Sequence, residues 1–570
     1  VNRDADIAMA HVTPADVLDG RPGGARASVG IRDLGRGLAS LSDQQLATLI
    51  SVGLFVLAAW PLLLVEVPPL QDLPNHLASV TVLENPSKYP EFVSNGFFKT
   101  NTAVFAWLVF AGRVLGINLA AKVFTGLVLA VNAVALPRVL LGLGDRRRMI
   151  VGSLFCWPMV HNWFVCMGML DFALGVPLSL LFLVLLRKQM TSPTLGRAIG
   201  GVLLGLCVWY AHVFALMIVM GLAGLELALE LVRGRHDRGE RRQVLQRALR
   251  ALPIVVPPTL LAVFAVARHM TEPKGAMTAF IQRTNMLPPW ELGYNMWAEW
   301  MWGYSNLTLL TLVPTLALGA YGIARWRRSA PFFSGAALLL LAAAYAFTPY
   351  EATNWFHVNS RLIPFLWIGL LLRLPRRLPR WLTVALAGAA LTYTLGMGVD
   401  YVRLDRERQQ YLGAMPLVPE GARLLPLTFR AKGSSTNTRS LLHLWGYYTA
   451  QKHTAAPLLF AHSRSFPVMY SSPPSLRLNH LVLEGFAPNM HDSKELCGHL
   501  AEHSIMVNGC QQLFEQTWAE FWDEVTPEYT HVLAWDMPAA VVPTVPGAYK
   551  LAYQQGRLSL YVRPSKTEPK

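Results

Sequence analysis

Residues 47–76 read ATLISVGLFVLAAWPLLLVEVPPLQDLPNH. The first part, Ala47 to Val65, is apolar and close to the ~20 residues that a helix needs to cross a bilayer. It ends without a small-residue cleavage pattern, so it is expected to stay in the membrane as a signal anchor. Directly after it come Gln71-Asp72-Leu73-Pro74-Asn75-His76, with an acid, two amides and an imidazole within six residues. An apolar wall that ends on a chemically equipped loop poses a question for the rest of the chain: whether this pattern recurs.

It does. Of 570 residues, 53% are hydrophobic and only 15% are charged, against about 25% charged in soluble chains. The apolar residues lie in blocks up to about residue 398, and the composition then turns mixed. This excludes a soluble enzyme, a coiled coil, a collagen and a disordered chain. The blocks 47–66, 118–141, 149–165, 170–187, 198–212, 213–232, 251–268, 306–324, 331–348, 361–374 and 381–398 predict about eleven transmembrane helices. The fold class is therefore a polytopic α-helical membrane protein with a C-terminal soluble α/β domain. The expected domains are a disordered cytoplasmic leader (1–46, with no secretory signal), a transmembrane domain (47–398) and an extracytoplasmic domain (399–570).

The net charge of +15 comes from Arg clusters between the blocks. No basic stripe is interleaved with aromatics, so nucleic acid is not an expected partner. The clusters Arg21–Arg36, Arg146–Arg148, Arg187–Arg197, Arg233–Arg250, Arg325–Arg328 and Arg373–Arg380 all fall on one side if 198–232 is a hairpin turning near His212. The positive-inside rule makes that side cytoplasmic, puts the N-terminus there and delivers the tail to the outer face. Residues 102–116 are apolar but short, and Arg113 interrupts them, so they are expected to form a re-entrant or surface-lying helix.

In this topology the other polar residues gather on the outer face. They are Asp72 and His76 in the first loop, His161 and Asp171 around the next turn, His212 at the hairpin tip, and Glu351, His357 and Arg361 before the tenth block. Ionisable groups at membrane depth are costly, so they pair or serve a site. A carboxylate can act as a general base or hold a divalent metal such as magnesium or manganese. Histidine can shuttle protons, and arginine offers a fork for phosphate oxygens. Each residue also has a plainer reading. Asp72 could cap a helix from residue 73. Asp171 could be a structural pair, His161 and His212 interface histidines, and Arg361 a snorkelling side chain. Glu351 and His357 could be solvated loop residues. Trp290, Trp297, Trp300 and Trp302 are most simply an interfacial belt, with a sugar-stacking platform as the sharper alternative.

In the tail, 423–429 and 530–535 predict strands, 440–452 a helix, and 549–562 a hairpin turning at Gln554-Gln555-Gly556. No phosphate loop, GxSxG or GxGxxG occurs, so the tail is expected to cover the site or bind acceptor. Its many histidines lack a ligand spacing and read as scattered surface residues. Cys497 and Cys510 could form a disulfide if the tail lies outside the cytoplasm.

An acidic residue directly after the first span resembles the hallmark of GT-C-type membrane glycosyltransferases; here it is Asp72 in QDLPNH. HNWFVCMGMLDFALG (161–175), WYAHVFAL (209–216) and HVNSRLIPFLWI (357–368) are similar to segments of bacterial membrane proteins of that superfamily. The resemblance implies a bacterial inner-membrane enzyme. It would take a sugar from a polyprenyl-phosphate donor, with inversion, to a hydroxyl on a saccharide, lipid or protein acceptor. Asp72, with His76 beside it, would then be catalytic. Arg361 and a histidine would hold the donor phosphate, with His161, Asp171, His212, Glu351 and His357 around the substrate. Many members carry two adjacent acids where Asp72 stands alone, which weakens a metal-dependent reading. Two rivals are a transporter or flippase of a lipid-linked intermediate and a non-catalytic membrane assembly protein.

Overall fold

A computed structural model describes residues 40–270, 284–304, 307–326, 328, 330–352, 355–461, 465–472, 474–475, 478, 480–491 and 510–564. The chain divides into two units, 1–46 and 47–570. Among the described residues, six helices are long and apolar enough to cross a membrane: Asp43–Leu64, Ile117–Leu143, Leu170–Thr191, Val213–His236, Arg238–Ala267 and Arg380–Leu417. The molecule is a polytopic helical membrane protein with a sheet-containing C-terminal region.

The remaining expected spans take other forms. The block 149–165 is a bent pair, Arg146–Ser153 and Trp157–Met167, which meet at 79°. The sequence explains the break. Pro158 lies in the first turn of Trp157–Val160, where its missing N–H costs nothing. Asn162 then accepts from Val165 N at 3.2 Å and starts a new turn, and Gly168 ends it in the left-handed conformation. Leu195–Ala211, Thr308–Ala324 and Gly335–Phe347 are apolar helices of 10–17 residues. The block 361–374 shortens to the buried nine-residue helix Ile363–Leu371. The 102–116 segment is the helix Ala103–Leu115, ending at Gly116 with φ +77.

The basic connections meet at one end. Arg376 pairs with Asp145 at 3.2 Å, Arg187 donates to Gly142 O, Arg247 pairs with Glu230, and Arg250 donates to Met190 O. The chain breaks its helix at His212, and from there two helices run back toward these groups.

The tail follows the 32-residue helix Arg380–Tyr411, which carries the last span straight into it. Its sheet has the order Leu424–Thr428, His531–Trp535, Leu558–Val562, Lys550–Gln555. The first pair is parallel and the others antiparallel. Every residue of the first two strands is buried, as their continuous apolar runs require. Gly556, at φ +56, makes the expected hairpin turn. The helix within 440–452 is confined to Gly446–Lys452.

The tail's core also takes in the first loop. Ala78, Val82, Tyr89 and Phe92 belong to the same buried cluster as Trp445, Leu458 and Trp518. Phe92–Ser94 pairs antiparallel with Val468–Tyr470. Gly446 lies against the first-loop helix Leu73–Glu84 so closely that an added Cβ would run into the Pro74 carbonyl.

Candidate functional site

Pro74 sits in the first turn of Leu73–Glu84, and Asp72 occupies the N-cap position. Its side chain makes no capping bond there, so the carboxylate is left for other partners. The backbone before it is pinned to the bent pair: Gln71 N donates to Cys166 O at 3.1 Å and Asp72 N to Met167 O at 2.9 Å. Gly168, at φ +84, closes this seam. A Cβ there would stand 2.9 Å from Asp72 N, so the turn needs glycine for both space and conformation.

Each polar side chain of QDLPNH then has its own contact. Gln71 Oε1 accepts from Arg439 N at 2.9 Å, and Gln71 Nε2 donates to Asp72 Oδ1 at 3.4 Å. Asn75 donates to Leu458 O at 2.9 Å and accepts from Phe460 N at 3.3 Å. His76 Nε2 bonds Gly168 O at 3.2 Å, and its Nδ1 has no partner among the described residues. Burial pushes His76 below the usual imidazole range, while Asp72 pulls it back up. Asp72 Oδ1 meets His443 Nε2 at 3.3 Å. The other ring nitrogen of His443 faces Glu484 Oε2 at 3.8 Å.

These groups border a cavity of about 610 Å³. It is lined by Asp72, His76, Asp171, His212, Glu351, His357 and Arg361, together with Arg439, His443, Glu484 and several aromatic rings. The structure thus brings together all the sequence-nominated residues outside the cysteine pair except His161. His161 Nδ1–H donates to Ala58 O at 3.1 Å, and Tyr401 O–H donates to its Nε2 at 3.1 Å. It borders a separate small void between the first and last spans, where both nitrogens are satisfied. Its placement at the substrate is therefore corrected to a packing role. Cys497 lies outside the described residues, as does the side chain of Cys510.

The cavity residues differ in what their polar atoms are already doing. Asp171 Oδ1 accepts from Val104 N at 2.9 Å, at the start of Ala103–Leu115. The helix's own N-cap residue, Thr102, makes no side-chain cap, so Asp171 supplies it from a neighbouring span. His212 Nδ1 accepts from Phe214 N, starting the next helix, and its Nε2 lies 3.3 Å from Arg361 Nη1. Glu299 gathers Tyr350 O–H, Ser360 O–H and His357 Nδ1, which fixes His357 at φ +57. Glu351 sits in a two-residue strand pairing with Asn285.

Arg361 is different. It is 5% exposed, and among the described residues no carboxylate pairs with it and its Nε has no partner. The rings of Phe172, Phe214 and Trp355 lie 5.1–5.9 Å from its guanidinium carbon. A buried cation without an anion is costly, and the cavity is where an anion could reach it.

The four indoles of 290–302 lie away from the cavity wall. Trp297 stacks on Trp302 at 4.8 Å, Trp300 is buried, and Trp290 is exposed. The sugar-stacking alternative for them is set aside, and the cavity's rings are instead Phe105, Phe172, Trp355, Phe356, Phe460, Phe466 and Phe486. Among the described residues, no three His, Cys, Asp or Glu side chains gather as metal ligands.

Arg439, His443 and Glu484 were not singled out from sequence. The available signal was the aromatic run HLWGYY (443–448), whose density implies burial and sets His443 apart from surface histidines.

The fold and cavity define a multi-pass membrane protein whose chamber, lined by aromatic rings and a few ionisable groups, has one wall supplied by its C-terminal region. No protein-family model matches the chain, and no curated protein matches it. Among solved structures it is similar to ArnT from Cupriavidus metallidurans in the apo state, at 11% identity and a TM-score of 0.43, over 94% of this chain and 100% of that one. It is also similar to the archaeal oligosaccharyltransferase AglB from Archaeoglobus fulgidus in complex with an inhibitory peptide and a dolichol-phosphate. That likeness has 13% identity and a TM-score of 0.32, over 94% of this chain and 75% of that one. Both likenesses are distant, and the functional reading rests on the cavity.

Proposed function

We propose that the protein is a glycosyltransferase that moves a sugar from a polyprenyl-phosphate donor to an acceptor hydroxyl, in a chamber on the outer face of a bacterial inner membrane. One observation carries this reading. A single cavity joins a carboxylate outside any capping bond, Asp72, to a buried guanidinium without a carboxylate partner among the described residues, Arg361. The first suits a base and the second a phosphate.

In this reading the acceptor oxygen attacks the anomeric carbon and its proton passes to Asp72. The bond from that carbon to the donor phosphate oxygen breaks, and its electron pair leaves on the polyprenyl phosphate. Arg361, beside His212, holds the phosphate as its charge grows. Phe172 and Trp355 exclude water around the guanidinium, which strengthens its hold. His76, bonded through Nε2 to the Gly168 carbonyl, lines the chamber beside Asp72. The tail closes the chamber and offers the acceptor-facing surface.

The test compares Asp72→Asn with wild type in membrane vesicles at matched expression, following transfer of radiolabelled sugar from a panel of polyprenyl-phosphate donors. Transfer lost in the variant supports the reading. Equal transfer in both removes Asp72 from the chemistry and sinks it.

A further inference from the structure

His443 and His161 are both buried imidazoles, but only His161 has both nitrogens hydrogen-bonded. His161 spends its two nitrogens on a carbonyl and a hydroxyl. His443 is 1% exposed and spends neither nitrogen on backbone; instead it stands between two carboxylates on the wall of the cavity. Nε2 stands 3.3 Å from Asp72 Oδ1, within ion-pair distance, and because a carboxylate only accepts, a hydrogen on Nε2 is what this contact can use. On the far side, Nδ1 and Glu484 Oε2 are 3.8 Å apart, too long for a closed hydrogen bond. Neither atom has a hydrogen-bond partner among the described residues.

Asp72 Oδ1 also receives the Gln71 amide at 3.4 Å. Both contacts therefore fall on one oxygen. Oδ2 has no partner among the described residues, on a side chain that is 15% exposed at the cavity.

We propose that His443, supplied by the tail, is a positioning residue for the base: it holds Asp72 by Oδ1 so that Oδ2 receives the acceptor's proton, with Glu484 behind the ring. The proposal rests on the transfer reading above and deepens it. The proton ledger is simple. The acceptor's proton goes to Oδ2, while His443 keeps its own. The consequence is that the base is complete only when the tail is seated on the first loop. A carboxylate that rotates about its side-chain bonds presents a basic oxygen in the right place only part of the time, and misplacement of about 1 Å can cost 10²-fold in rate.

The experiment measures kcat and donor KM for wild type, His443→Ala, His443→Gln and Asp72→Asn, with the polyprenyl-phosphate sugar that the donor panel identifies. His443→Ala is expected to lower kcat on the order of 10²-fold at unchanged donor KM. His443→Gln, whose amide N–H can replace the Nε2 donor, is expected to recover most of that loss. Wild-type kcat in the alanine variant would overturn the proposal. So would alanine and glutamine variants that are equally impaired, since that is what a purely structural role predicts. If Asp72→Asn retains transfer, it is the transfer reading that fails. A second arm needs no substrate: a variant carrying Asp72→Cys and His443→Cys is treated with a short thiol cross-linker in membranes and digested for mass spectrometry. A 72–443 cross-link is expected, and its absence would overturn the contact whichever donors are active.

Discussion

The two walls of the cavity are built differently. On the membrane wall, polar side chains serve the ends of helices first. Asp171 starts Ala103–Leu115, and His212 starts Val213–Arg233. Arg361, by contrast, keeps its Nε without a partner among the described residues. On the tail wall, Gln71 and Asn75 of the first loop bond backbone groups of Arg439, Leu458 and Phe460, while Asp72 makes no cap at all and meets the His443 ring. Two carboxylates thus face one chamber in opposite conditions. The difference teaches that a buried acid is a candidate for chemistry only after its structural debts are counted.

The largest expected effect tests that contrast directly. Asp72→Asn should lower kcat on the order of 10³-fold, within the range for loss of a general base. Asp171→Asn should leave kcat near wild type, because an amide oxygen caps a helix as well as a carboxylate does. Equal losses in the two variants would break the distinction. Next comes Arg361→Gln, which removes a charged donor. Its donor KM should rise about 10–100-fold, matching roughly 1.5–3 kcal/mol for a hydrogen bond to a charged group. Arg361→Lys should restore only part, since the point charge lacks the fork. Donor titrations of initial rate would check both, and an unchanged KM would move the phosphate elsewhere.

The two walls also differ in how far sequence reasoning could reach them. Apolar blocks and Arg clusters are local signals, so six of the eleven expected spans were legible as long apolar helices, and so were the strands at 424–428 and 531–535. The bend inside 146–167 was missed because its hydropathy is continuous, although Pro158, Asn162 and Gly168 mark each break. His161 looked like its neighbours because its partner, Tyr401, is 240 residues away. His443 was passed over for the same reason: nothing near it in the chain announces Asp72. Docking between distant segments is set by tertiary packing, which composition and periodicity do not encode.

Smaller effects test the seam that joins the walls. Gly446→Val places a side chain against the Pro74 carbonyl. Overpacking of this kind costs about 1–3 kcal/mol. It should lower the thermal midpoint and expose the first loop to protease while sparing the basic end. Protection of residues 73–84 equal to wild type would show that the tail does not depend on this contact. Asp171→Ala, which deletes a cap outright, should cost about 1 kcal/mol, with the loss read as faster exchange in the first turn of Ala103–Leu115.

The smallest effect is a dependence on pH. Burial holds His76 below the ordinary imidazole range, with Asp72 and the Gly168 carbonyl raising it in part and His443 lowering it again. Its unfolded value is near 6.5. Above that value both states carry a neutral ring, and the seam has its full stability. As the pH falls below it, the unfolded chain binds the proton first, and stability declines until the folded ring also titrates. His76→Gln, which cannot protonate, should flatten this part of the stability curve between pH 6.5 and the lower folded value. The measurement is the thermal midpoint of the purified protein against pH for both forms. A curve that keeps its slope in the variant would assign the acid sensitivity to another group and leave His76 free of linkage to folding. A flattened curve would show that the neutral ring between the tail and the bent helix pair is part of what holds the two walls together.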